Sequence, residues 1–175
     1  MWLVDAKQDK VFRYAGAASR LSGTQSAASN FSLNSANSNP KDLVTDGTSI
    51  WVVNDSTTDK VFKYTKAGAL VGSWTISTPG VSSPTGITLN PAAPSELWIV
   101  DNGTDKIYQY DAAVGLKSGS KAASKVVALA VGNTNPQGIA DPPASAGVAL
   151  DADETYPSGL PVMCAGICWR PHLST

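Results

Sequence analysis

One pattern of apolar and polar positions occurs three times along the chain: an apolar run, a polar turn closing on Asp-Lys, then an alternating segment rich in aromatics. Residues 98–110 read Trp-Ile-Val-Asp-Asn-Gly-Thr-Asp-Lys-Ile-Tyr-Gln-Tyr. Residues 2–14 read Trp-Leu-Val-Asp-Ala-Lys-Gln-Asp-Lys-Val-Phe-Arg-Tyr, and residues 51–64 repeat the motif with one extra residue in the turn. Each copy reads as a β-hairpin. Apolar side chains at every position of 97–100 predict an interior strand buried on both faces. Alternation over 106–110 puts Ile107 and Gln109 on one face, Tyr108 and Tyr110 on the other.

The spacing sets the larger unit. Trp2 to Trp51 is 49 residues and Trp51 to Trp98 is 47. A second marker recurs as Pro40-Lys-Asp-Leu-Val, Pro84-Thr-Gly-Ile-Thr and Pro136-Gln-Gly-Ile-Ala. The first and third hairpins align without a gap at an offset of 96, and the register survives the following loop, with Ser22-Gly23 on Ser118-Gly119 and Leu33 on Leu129. One unit then runs over 84–135, with strands at 86–89, 97–100, 106–110 and 125–130. The fourth strand of the middle unit is 70–76, carrying Trp74. Four antiparallel strands in such a length make one propeller blade. The chain opens on a second strand and reaches a lone first strand at 138–140.

These residues resemble a known group. Gly-Ile followed by Leu-Trp-Ile-Val-Asp and Asp-Lys-Ile-Tyr-Gln-Tyr is similar to a blade of NHL-type and related six-bladed β-propellers, above all the tandem repeats of large exported bacterial proteins. The expected fold is all-β, a partial β-propeller of about three four-stranded antiparallel blades over residues 1–141. The resemblance implies a binding or scaffolding fragment, extracellular or on the cell surface as part of a longer precursor. The competing implication is a calcium-dependent, lactonase-like propeller hydrolase. Fold alone does not decide between them.

Composition narrows the partners. A net charge of -1 marks no nucleic-acid or anionic-membrane surface, and no apolar run approaches a membrane span. Met1-Trp2 opens directly on a repeat strand, so no signal peptide is expected. Beyond Asp141-Pro142-Pro143 the pattern stops: Gly147 stands where a tryptophan would recur. Residues 142–175 read as an atypical tail, disordered or out of frame, with Met163, Arg170, both cysteines and the only histidine.

Candidate chemistry is sparse. Asp5, Asn54 and Asp101 end the second strands; Asp9, Asp59 and Asp105 close the turns before Lys10, Lys60 and Lys106. Such a ring of carboxylates is one way to hold calcium. Recurrence in every blade favours turn chemistry, in which Asp and Asn bond nearby backbone. No catalytic residue, metal ligand or cofactor is therefore assigned, and the binding residues stay open. His172 lies in the tail, so histidine-based catalysis is excluded from the repeats. Cys164-Ala-Gly-Ile-Cys168 has no second ligand pair for zinc, and a disulfide and free thiols are equally open.

Trp2, Trp51, Trp98, Tyr14, Tyr64 and Tyr110 are expected to pack between blades rather than stack on a sugar. Asn30-Phe-Ser, Asn54-Asp-Ser and Asn102-Gly-Thr match the glycosylation pattern but read as turn composition. The partner is an unknown protein or carbohydrate. A homodimer completing six blades is also expected, because three blades leave two apolar faces open.

Overall fold

The structure is a computed structural model and describes residues 1–140. The expectations for residues 142–175, including Cys164, Cys168 and His172, lie outside the described residues.

Among the described residues, twelve strands form three sheets. The first holds β1 (Trp2–Asp5), β2 (Lys10–Arg13) and β3 (Ser29–Ser32), in that order. The second holds β4 (Pro40–Thr45), β5 (Ser49–Asn54), β6 (Lys60–Thr65) and β7 (Leu70–Ile76) as an antiparallel meander. The third holds β8 (Pro84–Leu89), β9 (Leu97–Asp101), β10 (Lys106–Tyr110) and β12 (Lys125–Ala128). The remaining strand, β11 (Ser120–Lys121), leaves its own blade and pairs parallel with β7 of the preceding one. The fold is all-β, a partial β-propeller. Its blades are three-stranded, four-stranded plus β11, and four-stranded.

Turn chemistry sets the hairpins. Asp9 and Asp105 adopt left-handed backbone, with φ of 49° and 54°. Asp tolerates that conformation where a branched residue would not. The extra residue in the middle turn relieves Asp59 of it. Each turn aspartate also offers its carbonyl to the residue at, or one past, the end of its blade's last strand: Leu33 N–H to Asp9, Ile76 N–H to Asp59, Leu129 N–H to Asp105.

Alternation divides each blade into two faces. Trp51, Val53, Val61 and Trp74 face forward and pack on Leu97, Ile99, Tyr108 and Tyr110 of the next blade. Behind them, Ile50, Val52, Phe62 and Tyr64 face the first blade's Val11 and Leu33, with Trp2 and Phe31 at the margin. Each large side chain buried this way contributes about 1.5–3 kcal/mol. Trp51 is 0 % exposed. Trp98, its equivalent on the third blade, is only half-buried. It borders an open cavity of about 260 Å³ with Thr88, Ile107, Ile139 and Ala140. The expectation that Trp98, like Trp51, packs between blades is thus not met among the described residues, because no described blade stands in front of it.

Residues 138–140 need a second correction. They form no strand of their own, although they run beside β8, where Thr85 Oγ1 donates to the Pro136 carbonyl at 2.7 Å. The second strand that would pair with them is not at hand.

Candidate functional site

The side chains with chemistry gather where the second and third blades meet, at the end of the sheets carrying the Asp-Lys turns. Asp101 ends β9 and is 0 % exposed. Its Oδ2 accepts the backbone N–H groups of Ser82 (3.0 Å) and Ser83 (2.7 Å), and its Oδ1 accepts the Thr104 hydroxyl at 2.7 Å. Asn54, its counterpart in β5, is equally buried. It accepts Lys60 N–H at 2.8 Å and donates to the Ser38 carbonyl at 3.4 Å. In both blades the end of the second strand is thus fastened to the loop that enters the first strand.

Asp5 has no such loop beside it. Its Oδ1 accepts Lys7 N–H (2.9 Å) and Gln8 N–H (3.0 Å) from its own turn. The Gln8 N–H and the Gln8 side chain hold the Asp5 carboxyl below its ordinary value.

Around Asp101 stand Asp55 and Asp59 from the middle turn. Asp59 accepts Ser56 N–H at 3.0 Å. Desolvation raises its pKa, and the Asp55 and Asp101 charges add to the shift. Asp55 receives Lys41 Nζ at 3.4 Å and the Ser83 hydroxyl at 3.4 Å. Lys10, Lys60 and Lys106 sit directly across their hairpins from Asp5, Asn54 and Asp101. Among the described residues, no group of three or more His, Cys, Asp or Glu side chains is arranged to hold a metal ion.

The aromatics are structural in detail. The Tyr64 hydroxyl accepts Asn34 N–H (3.1 Å) and Asn37 Nδ2 (3.2 Å) from the turn following β3 of the first blade. Tyr110 repeats the link one blade later, 3.0 Å from Thr78 Oγ1 after β7. Trp51, Tyr64 and Tyr110 are at most 1 % exposed, so a sugar ring has no access to them. Lys63 Nζ lies 4.8 Å from the Trp51 ring centre and donates to the Val114 carbonyl at 3.0 Å. Of the three glycosylation matches, Asn30 is exposed, Asn102 half-buried and Asn54 fully buried.

One residue was missed by the sequence reading. Asp42 occupies the position of Gly86 and Gly138 in the recurring Pro-x-x segment. It is the one non-glycine of the three, a signal the alignment contained. Its Oδ1 accepts Leu43 N–H at 2.8 Å, and its Oδ2 reaches the next blade to accept Ile87 N–H at 2.9 Å. Desolvation raises its pKa. At the next step Gly86 puts no side chain into that space. A Cβ there would lie 2.7 Å from Gly138 Cα and 2.8 Å from Ile139 N, so the backbone of 138–139 comes in directly where a carboxylate bridges Asp42 to Ile87.

Comparison with known proteins is sparse. No family model matches the chain, and no curated protein matches it. Among solved structures, a protein of Bacteroides fragilis named as a candidate 6-phosphogluconolactonase is similar at 19 % identity, with a TM-score of 0.47. The match covers 72 % of this chain and 38 % of that one.

Proposed function

We propose that the chain is a binding or scaffolding module, a run of propeller blades that presents its rim loops to a protein or carbohydrate partner. The observation that carries this reading is the use made of Asp42. It is the carboxylate that breaks the repeat on an innermost strand, where a single catalytic or metal-binding group belongs. Both of its oxygens accept backbone amides, one of them from the neighbouring blade. Asp101 is engaged too, by two backbone amides of the loop entering its own blade and by the Thr104 hydroxyl. Asp42 holds blade to blade, and Asp101 fastens the loop that leads into the third blade. In this reading the module belongs to a longer exported protein.

The hydrolase alternative requires one of these carboxylates to leave its amides for a metal. Calorimetric titration with calcium and an assay of lactone hydrolysis separate the two. The scaffold reading expects no calcium site tighter than about millimolar and no hydrolysis. A micromolar site abolished by Asp42→Asn, together with calcium-dependent lactone opening, would replace it with the hydrolase.

A further inference from the structure

The first blade-to-blade junction is built from two contacts and the second from three, and the two outer faces of residues 1–140 carry the halves of one more junction of the second kind. The first contact is the tyrosine link: Tyr64 to Asn34 and Asn37, then Tyr110 to Thr78. The second is a ring from the fourth strand laid against that tyrosine. Phe31 and Tyr64 lie 5.7 Å apart between centres, Trp74 and Tyr110 5.2 Å. The third is the arm of residues 112–124, seen at the second junction. It reverses over the outer edge of β7, where Lys117, Gly119 and Lys121 carbonyls accept the Ser73, Thr75 and Ser77 N–H groups.

The first blade presents the incoming half again. Tyr14 is the equivalent of Tyr64 and Tyr110 and is partly exposed. Leu3, the equivalent of Ile99, is 46 % exposed against 0 % for Ile99. The arm is present and already shaped. Gly23 has φ 82° where Gly119 has 83°, Gly16 has 66° where Ala112 has 54°, and both arms start with a short 3-10 turn, Ala17–Ser19 and Ala113–Gly115. Yet the first arm has no described outer strand to clasp.

The third blade presents the receiving half. Asn133 N–H donates to the Ala130 carbonyl at 3.0 Å, as Asn37 N–H donates to Asn34 at 2.8 Å. The turn that receives Tyr64 is therefore preformed a second time. Val127, in the place of Phe31 and Trp74, is 38 % exposed, and Val131, in the place of Thr78, is fully exposed. The outer edge of β12 has no arm over it among the described residues, and an uncovered edge invites pairing. Beside Trp98, segment 136–140 holds the position of a first strand, the one strand the first blade lacks among the described residues.

We propose that the forward face of the third blade receives the first blade of a second copy of this chain, and that the exchange is mutual. Tyr14 of one copy then accepts Ala130 N–H and Asn133 Nδ2 of the other. The arm around Gly23 covers β12, and 138–140 completes the three-stranded blade along β1. Two such junctions close six blades, within the usual propeller range, about a two-fold axis. The inference stands on blade geometry and is independent of which function the rim performs.

The test uses the full chain and light scattering at micromolar concentration, with circular dichroism confirming the fold. The expected mass is twice 18.1 kDa. Leu3→Arg and Val131→Arg change exposed side chains on the two different faces. Each alone should give monomers, a loss of about a hundredfold or more in association, as expected when a charge is buried unpaired at an interface. Mixing them should re-form a pair, because one of its two junctions contains neither arginine. Should Leu3→Arg fail to fold, Tyr14→Lys takes its place on the same face. Tyr14→Phe removes the hydroxyl from both junctions and should weaken the pair about twenty-five-fold, roughly fivefold at each junction, the scale of one hydrogen bond. Adding Asn133→Ala to it should cost less than that change costs alone. A wild-type monomer would overturn the proposal. So would an open series of larger oligomers, a dimer indifferent to both arginines, or a mixture that stays monomeric.

Discussion

Trp51 and Trp98 occupy one position in successive blades, opposite Lys63 and Gln109 respectively. Trp51 is wholly enclosed by the next blade; Trp98 lies on an open face. Their strands are nearly the same in sequence, so the difference arises from what stands in front. A blade is thus half of two cores, and burial in this protein is a property of pairs of blades. The largest expected effect follows. Trp51→Ala should destabilise the chain by about 3–5 kcal/mol, the scale of a large aromatic removed from a closed core. Trp98→Ala should cost about 1–2 kcal/mol for area that is only partly removed from water. Urea unfolding monitored by circular dichroism, on dilute protein confirmed monomeric by light scattering, gives both values. Equal losses would erase the distinction between the closed and the open face.

The second contrast is between Asp101 and Asp5, again equivalent in sequence. Asp101 accepts three hydrogen bonds in a site with no solvent contact, two of them from the loop entering β8. Asp101→Ala strands those donors and should cost about 2–3 kcal/mol. Asp5→Ala loses bonds to an exposed turn that water can replace, and its loss should be clearly smaller. The same denaturation series measures both. A similar cost at the two sites would mean that the loop is held by something other than the carboxylate.

How much of this was legible in the sequence depends on the range of the interaction. Strand order, the faces of 106–110 and the strands Lys106–Tyr110 and Leu70–Ile76 follow from local alternation and turn residues. The arm did not: 112–124 reads as a small-residue loop, and its pairing with β7 of another blade is a long-range event without periodicity of its own. Asp42 was visible as a break in the Gly-Ile marker, but its partner, the amide of Ile87, is a backbone group 45 residues away. Residues 138–140 carry a strand pattern without a strand, because pairing needs a neighbour that the pattern cannot supply.

A smaller effect sharpens the comparison between the two junctions. The Tyr64 hydroxyl receives two donors, one from the fully buried Asn37. Tyr110 shares its hydroxyl with Thr78 alone, and Thr78 also accepts Ala123 N–H at 2.8 Å. Tyr64→Phe should therefore cost about 1–1.5 kcal/mol, and Tyr110→Phe about half as much, since Thr78 keeps a partner. Reversal of that order in thermal melts would show that Asn37 finds another acceptor.

The smallest expected effect is one of sign, and it again sets two turn carboxylates against each other. The Asp59 pKa is raised by desolvation and by the Asp55 and Asp101 charges. A raised carboxyl binds its proton more tightly in the folded chain than in the unfolded one. Its contribution is fully present below the unfolded value and is lost as pH rises through the folded value. At neutral pH the ionised Asp59 therefore works against the fold. Asp5 runs the opposite way. The Gln8 N–H lowers its pKa, so its contribution is present above the unfolded value and lost as pH falls through the folded one. Asp59→Asn keeps an oxygen for Ser56 N–H and removes the charge. The variant should melt higher than the parent at neutral pH, with the difference shrinking as the pH is lowered through the carboxylate range. Asp5→Asn should melt lower at neutral pH and converge on the parent over the same range. Parallel pH curves for Asp59→Asn and the parent would show that crowding by Asp55 and Asp101 is relieved in solution, and that this rim is wetter than its geometry indicates.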